Sequence, residues 1–518
     1  TCRCFIEKKF LLIRITEVNV VIKMNRKIMK SILFLAGCLL GIGLQLSAQP
    51  VDSLYKEKYR PQYHFSPKKG WIGDPCGFIH YQNKYHMYWW GKVESRDLVH
   101  YQEVTPFTMT GENIDMNYFT GSMVIDKHNT AGFGKDAYVA VYTIAEKVSK
   151  KQSQGISFSH DGKSFQYYED NPVLDIGSTE FRDPTVFYYE PTKRWVMVVA
   201  KALEKKVQIY SSADLKHWKW ESDFGPCGDQ EKSWECPDLF QLPVDGDWNN
   251  KKWVMVISVN WAKEQYFIGD FDGKEFKLVE NHPQDPLYVD KGMDYYASRT
   301  FRDYDSTLTT VTSMGWVATW DYAQLVPSTY GKGFWSIPRN LSLKTYPEGL
   351  RLIQTPVSQL EALRYNEITC KRNLEVGVHK VDFFTPSENS YELDFKFDVE
   401  KSNVFGLNLC VGNGRKVTIS YDTDSYNLVI DRTNCTDACI PKFSRMEHAK
   451  VVPSGGKLRL HFYIDRSSIE LFANDGKDVF TFLTYPDDSQ TGMEIFALKE
   501  GTKYFFKGWM LKSVWTAE

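Results

Sequence analysis

From residue 59 onward, short apolar runs alternate with polar, turn-forming breaks, and hardly any stretch carries the 3.6-residue period of an amphipathic helix. Segments 84–89, 137–142, 195–200, 253–259 and 308–314 are rich in Val, Tyr and Trp, which predicts strands. Beyond residue 371 the alternation becomes strict, as in Tyr391-Glu392-Leu393-Asp394-Phe395-Lys396-Phe397 and Leu458-Arg459-Leu460-His461-Phe462-Tyr463-Ile464. Period-2 patterning with polar outer positions predicts antiparallel sheets wet on one side, hence a β-sandwich over 371–518. A brief helical pattern at 357–363 falls inside an expected linker, 347–370. The expected fold class is all-β.

A repeat underlies the first region. Ser95-Arg96-Asp97-Leu98-Val99-His100-Tyr101 returns as Ser212-Ala213-Asp214-Leu215-Lys216-His217-Trp218, and Ser159-His160-Asp161-Gly162-Lys163-Ser164-Phe165 has a shorter echo in Asp272-Gly273-Lys274-Glu275-Phe276. The aspartates recur about every 50 to 60 residues, the span of one four-stranded propeller blade. Segment 59–346 then holds five blades, so the expectation is a five-bladed β-propeller followed by a C-terminal β-sandwich. A large sandwich with recurring hairpins is the alternative.

Composition narrows the partner. A net charge of −2 provides no field for nucleic acid or an acidic membrane, which leaves a neutral molecule. Aromatic residues make up 15% of the chain; they suit sugar stacking, although aromatic-rich sheets give the same count.

Residues 1–23 read as an upstream extension without interpretable pattern. At 24–48, Lys27 and Lys30 precede an apolar run and then Leu46-Ser47-Ala48, the pattern of a secretory signal peptide. Leu35-Ala36-Gly37-Cys38 resembles a lipobox, but the apolar run continues past Cys38, which favours cleavage near Ala48 and export without a lipid anchor. The remaining cysteines, Cys76, Cys227, Cys236, Cys370, Cys410, Cys435 and Cys439, form neither a disulfide framework nor a zinc motif. Only Cys435 and Cys439 are near enough in sequence to suggest a bridge. No metal and no cofactor are expected.

Three acids carry the chemistry. Asp183 opens an apolar run in Glu180-Phe181-Arg182-Asp183-Pro184, Asp74 lies in Trp71-Ile72-Gly73-Asp74-Pro75-Cys76-Gly77, and Glu235 in Trp234-Glu235-Cys236-Pro237-Asp238. An Asp-Pro alone is more often a turn former than a catalyst. As a set, one acid from each of three successive blades, they suit a common axial funnel. Retaining glycoside hydrolysis needs such carboxylates: one attacks the anomeric carbon and another protonates the departing oxygen.

These blocks, with Phe119-Thr120-Gly121-Ser122, Asp294-Tyr295-Tyr296-Ala297, Gly315-Trp316, Trp320-Asp321-Tyr322-Ala323 and Asp465-Arg466-Ser467-Ser468-Ile469-Glu470, resemble glycoside hydrolase family 32, the invertase, inulinase and levanase family. The resemblance implies Asp74 as nucleophile, Glu235 as acid/base and Asp183 as a stabiliser that binds fructose hydroxyls. It also implies substrate contacts from Trp71, Phe119, Ser122, Arg182, Cys236, Asp294 and Trp316. Gly73 and Cys76 stand where the family usually has Asn, and the first-blade loop after Tyr88 is shortened. The expected activity is release of fructose from β-fructosides. A glycosidase for arabinose or xylose glycans, or a sugar-binding propeller, are the rivals.

Overall fold

The computed structural model describes residues 54–399 and 401–515; the expected upstream extension, signal peptide and Cys38 lie outside them. The described chain is all-β, interrupted by short 3-10 turns at Ala202–Glu204, Ala323–Leu325, Ser358–Leu363 and Asn474–Gly476. Four of the five strand segments named above fall within or almost within strands. The fifth begins late: the strand is Val311–Trp316, because Leu308 is held in the preceding turn by its N–H bond to Asp303 Oδ2 at 2.7 Å.

Successive antiparallel meanders follow one another. Gly77–Tyr81, Lys84–Tyr88, Lys92–Ser95 and Tyr101–Glu103 form the first, and Phe181–Tyr189, Arg194–Lys201, Lys206–Ser212 and Trp218–Phe224 the third. The second is built around Met116–Asp126, Ala137–Glu146, Gln152–Ser159 and Ser164–Tyr167. The fourth starts at Trp234–Val244 and the fifth at Tyr296–Thr300; they merge into one sheet at the parallel pairing of Val244 with Leu343.

Apolar side chains join neighbouring meanders in chain order. Ile79 and Tyr88 pack with Met123 and Ile125, Val124 and Val139 with Val186 and Trp195, and Val196 and Val207 with Leu239 and Met255. Leu242 and Val254 pack with Leu341 and Leu343, and Met314 and Trp316 return to Phe78 and Met87 of the first sheet. Arg302–Asp303 also pairs in parallel with Ile79 and His80.

The repeated aspartates have one structural job. Asp97, Asp161, Asp214 and Asp272 each accept backbone N–H groups two and three residues ahead, through Oδ1, at 2.7–3.0 Å. Each thereby closes the hairpin into the outermost strand of its meander, where the short Asp side chain mimics a backbone turn.

The C-terminal region contains two six-stranded antiparallel sheets that share one core, with Leu393, Phe395 and Phe462 from one and Phe405, Leu407 and Ile419 from the other. One face is wet at Lys396, and partly so at Arg459 and His461, but not at Glu392 and Asp394. Glu392 is fully buried, where the Arg364 guanidinium pairs with it and the His461 ring lies in hydrogen-bond contact; Asp394 is almost so, paired with Arg459. Cys435 and Cys439 are free thiols, the first buried and the second exposed. The expected linker contains the strand Gly349–Pro356, which pairs with Arg339–Tyr346, then the turn Ser358–Leu363 and the start of Arg364–Leu374.

Asp465 and Glu470 tie the two regions together. Asp465 accepts the N–H groups of Gln62 and Tyr63, and Glu470 accepts that of Ile337 and the Arg339 guanidinium. The His64 ring bridges the two acids at 2.7 and 2.9 Å.

Candidate active site

The first strands of four meanders break register: between Phe119 and Gly121, Arg182 and Thr185, Glu235 and Asp238, and Tyr296 and Arg299. Two of the breaks contain proline, which has no N–H for the ladder and is at home in a bulge. Asp183 and Cys236 have φ of 65° and 50°, so the bulges re-aim these residues out of the strand alternation.

Asp74 sits on the lead into the first sheet. Trp335 Nε1 donates to Gly73 O at 3.0 Å and Cys76 N–H to Tyr88 O at 2.8 Å, which pins the backbone on both sides of it. A Cβ on Gly73 would come within 3.0 Å of Trp71 Nε1, so glycine leaves room for that indole. Thr120 Oγ1 donates to Asp74 Oδ2 at 3.0 Å.

Asp183, 4% exposed, accepts the Cys236 N–H at 3.1 Å, so the second bulge fastens onto the carboxylate of the first. Glu235 Oε1 receives Arg182 Nε and Nη2 at 3.0 and 2.8 Å, and Tyr296 OH donates to Oε2. Arg182 also binds Glu180 at 2.6 Å. Arg299, buried, donates to the carbonyls of Cys236 and Pro237 at 2.9 and 2.6 Å and so clamps the bulge that carries Glu235.

Crowding sets the electrostatics. Burial, then the charges of Asp183 and Glu235, push Asp74 up to about 8, against the Thr120 hydrogen bond and the Arg299 charge. Burial raises Asp183 to about 6; Arg182 opposes that rise and Glu235 adds to it. The acids therefore compete for protons, and the cationic neighbours decide which stay ionised.

All three acids line one solvent-open cavity of ≈ 440 Å³, together with Trp71, Phe119 and Arg182. The other expected contacts lie outside that lining. Ser122 Oγ accepts the Val186 N–H at 3.0 Å and joins the second and third sheets. Asp294 is buried against Arg432, Tyr322 and the Leu483 N–H, at the junction with the C-terminal sheets. Trp316 is fully buried, with its ring edge-on to Trp71 at 5.4 Å. Cys236 is 1% exposed, its Sγ 3.6 Å from Asp183 and 4.0 Å from Asp74. Trp316 and Cys236 back the cavity wall, while Ser122 and Asp294 hold the sheets around it.

The lining also includes Gln152, Glu180, Thr120, Trp90 and Trp320, none of which the sequence reading selected. Thr120, Glu180 and Trp320 lie inside quoted motifs and were within reach; Gln152 carries no local signal. Among the described residues no group of three or more His, Cys, Asp or Glu side chains is placed to hold a metal ion.

Residues 64–356 match the model of the glycosyl hydrolases family 32 N-terminal domain and residues 359–509 that of the family 32 C-terminal domain. A levanase of Bacillus subtilis (strain 168) is 39% identical over 89% of this chain and 71% of its own length. Invertase 1 of Saccharomyces cerevisiae is 37% identical over 88% of this chain and 94% of its own. The crystal structure of exo-inulinase from Aspergillus awamori superposes with a TM-score of 0.82 at 29% identity, covering 89% of this chain and 100% of that one.

Proposed function

The chain belongs to glycosyl hydrolase family 32, and we propose that it is a retaining β-fructofuranosidase that releases fructose from fructans, fructo-oligosaccharides or sucrose. The observation that carries this reading is the convergence of Asp74, Asp183 and Glu235 on one cavity, from the first, third and fourth sheets and not, as expected, from three successive ones. The levanase, invertase and exo-inulinase named above supply the substrate class.

In this mechanism Asp74 attacks the anomeric carbon and forms a covalent fructosyl-enzyme while Glu235 protonates the departing oxygen. Glu235 then takes a proton from water, whose oxygen displaces Asp74. Asp183 accepts hydrogen bonds from fructose hydroxyls as positive charge grows on the ring. Arg182 pairs with Glu235 in the free site, and Trp71 and Phe119 supply apolar walls.

The architecture we assign to it is a five-bladed propeller over the region expected as 59–346, extended by the strand Gly349–Pro356, and a β-sandwich after the turn Ser358–Leu363. The cyclic order of shared cores and the Arg302–Asp303 pairing with the first sheet support closure of the ring. The pattern at 24–48 fits export of the enzyme.

Fructose release from levan, inulin and sucrose tests the activity. Wild type is expected to turn over at least one of them, while Glu235→Gln loses about 10²–10⁴-fold in kcat and Asp74→Asn about 10⁴-fold or more. Wild-type binding without release, or release that survives both substitutions, would end the proposal.

A further inference from the structure

The hairpin between Lys84–Tyr88 and Lys92–Ser95 turns through only three residues, Trp89, Trp90 and Gly91. Tyr88 pairs with Lys92 across it, and the Trp89 N–H donates to Gly91 O at 3.1 Å. The Trp89 ring packs against Phe65 and Trp335 at 5.5 and 5.6 Å. A Cβ on Gly91 would lie 2.7 Å from that ring, so a side chain there would displace the indole that anchors the turn. Trp335, which braces Trp89, is also the residue that holds Gly73 O beside Asp74.

Trp90 is left at the tip, on a turn whose backbone and neighbour are fixed. It is 48% exposed and lines the cavity of the three acids. Trp320, 44% exposed, lines the same cavity and is backed by Trp71 and Trp316 at 5.8 and 4.9 Å. A half-exposed indole on a backbone already fixed by its turn offers a flat apolar face with part of its ordering cost met by folding, which suits the C–H face of a sugar ring.

We propose that Trp90 is a specificity-determining residue: it stacks on the departing chain of a β-fructan, outside the fructosyl unit held at Asp74 and Glu235, and makes a chain of several units the preferred substrate over a disaccharide. The inference rests on the hydrolase reading above. Trp320 provides a second indole for the same chain.

The test compares Trp90→Ala and Trp90→Phe with wild type on sucrose and on fructan tri- and tetrasaccharides of β-2,1 and β-2,6 linkage. Trp90→Ala is expected to raise KM roughly three- to tenfold on the tetrasaccharide, with kcat kept and the effect growing with chain length. Trp90→Phe restores most of the loss. An effect equal on all lengths, or none, overturns the proposal. Titration of the tetrasaccharide into Glu235→Gln, with and without Trp90→Ala, gives a readout independent of turnover: weaker binding in the double variant supports stacking, while equal binding or no binding in either overturns it. A wild type that binds the tetrasaccharide through Trp90 yet releases no fructose would remove the hydrolase reading and leave the stacking role standing.

Discussion

Asp74 is raised first by burial and then by neighbouring charge, and one charge acting in each direction can be removed separately. Asp183 adds a like charge that keeps Asp74 protonated, and Arg299 adds an opposite charge that favours its ionised form. Asp183→Asn is therefore expected to move the acid limb of kcat/KM to lower pH, and Arg299→Gln to move it to higher pH, each by roughly one unit. Asp183→Asn also lowers kcat about 10²–10³-fold through the lost hydroxyl contact. Profiles that keep the wild-type midpoint and merely scale down would show that neither charge reaches the nucleophile. The acids themselves were legible because Asp-Pro and Glu-Cys-Pro are unusual ways to open an apolar strand. Ser122, Asp294 and Trp316 belong to motifs that resemble the family's site, yet a motif holds scaffold as well as site. The structure gives them the Val186 N–H, the Arg432 guanidinium and the back of Trp71 instead.

At the scale of single strands, what the sequence hid was register. Alternation and composition marked the strands, and the recurring Asp marked one hairpin in each of four meanders, but no local signal shows the first strands slipping register. Pro184 and Pro237 hint at two of these bulges; Gly121 and Ala297 give no such hint. Gly121 is nonetheless demanding, since a Cβ there would lie 1.9 Å from Val141 O. Gly121→Ala must push the neighbouring backbone away and is expected to cost about 3 kcal/mol in a denaturant melt. Because Thr120 is adjacent and bonds Asp74, activity should fall in the surviving folded fraction as well. A variant as stable as wild type would show that the bulge relaxes freely.

Across the whole molecule, His64 connects the N-terminal segment to the C-terminal sheets from complete burial. Burial alone would lower its pKa, but the hydrogen bonds and charges of Asp465 and Glu470 overcome that and raise it to about 9, from an ordinary 6.5. The folded state thus binds a proton more tightly than the unfolded chain, so the stability this gives is complete below about 6.5 and is lost as pH rises through about 9. His64→Gln is expected to cost about 3 kcal/mol at pH 6 and far less near pH 9.5, as measured by paired chemical melts. A gap that stays constant with pH would mean the ring is neutral. Asp465 and Glu470, from a motif that carries the family resemblance, make structural contacts. That Asp465 reaches back to Gln62 and Tyr63 could not be read from spacing, because nothing in a linear pattern pairs positions some four hundred residues apart.

Trp335 has a consequence in time as well as in space. All three carboxylates lie within residues 74–235, but the indole that fixes Gly73 O comes a hundred residues after the last of them. As the chain leaves the ribosome, its reactive groups are made well before the part that aims the earliest one, so a nascent fragment ending short of that indole carries every acid and no assembled catalyst.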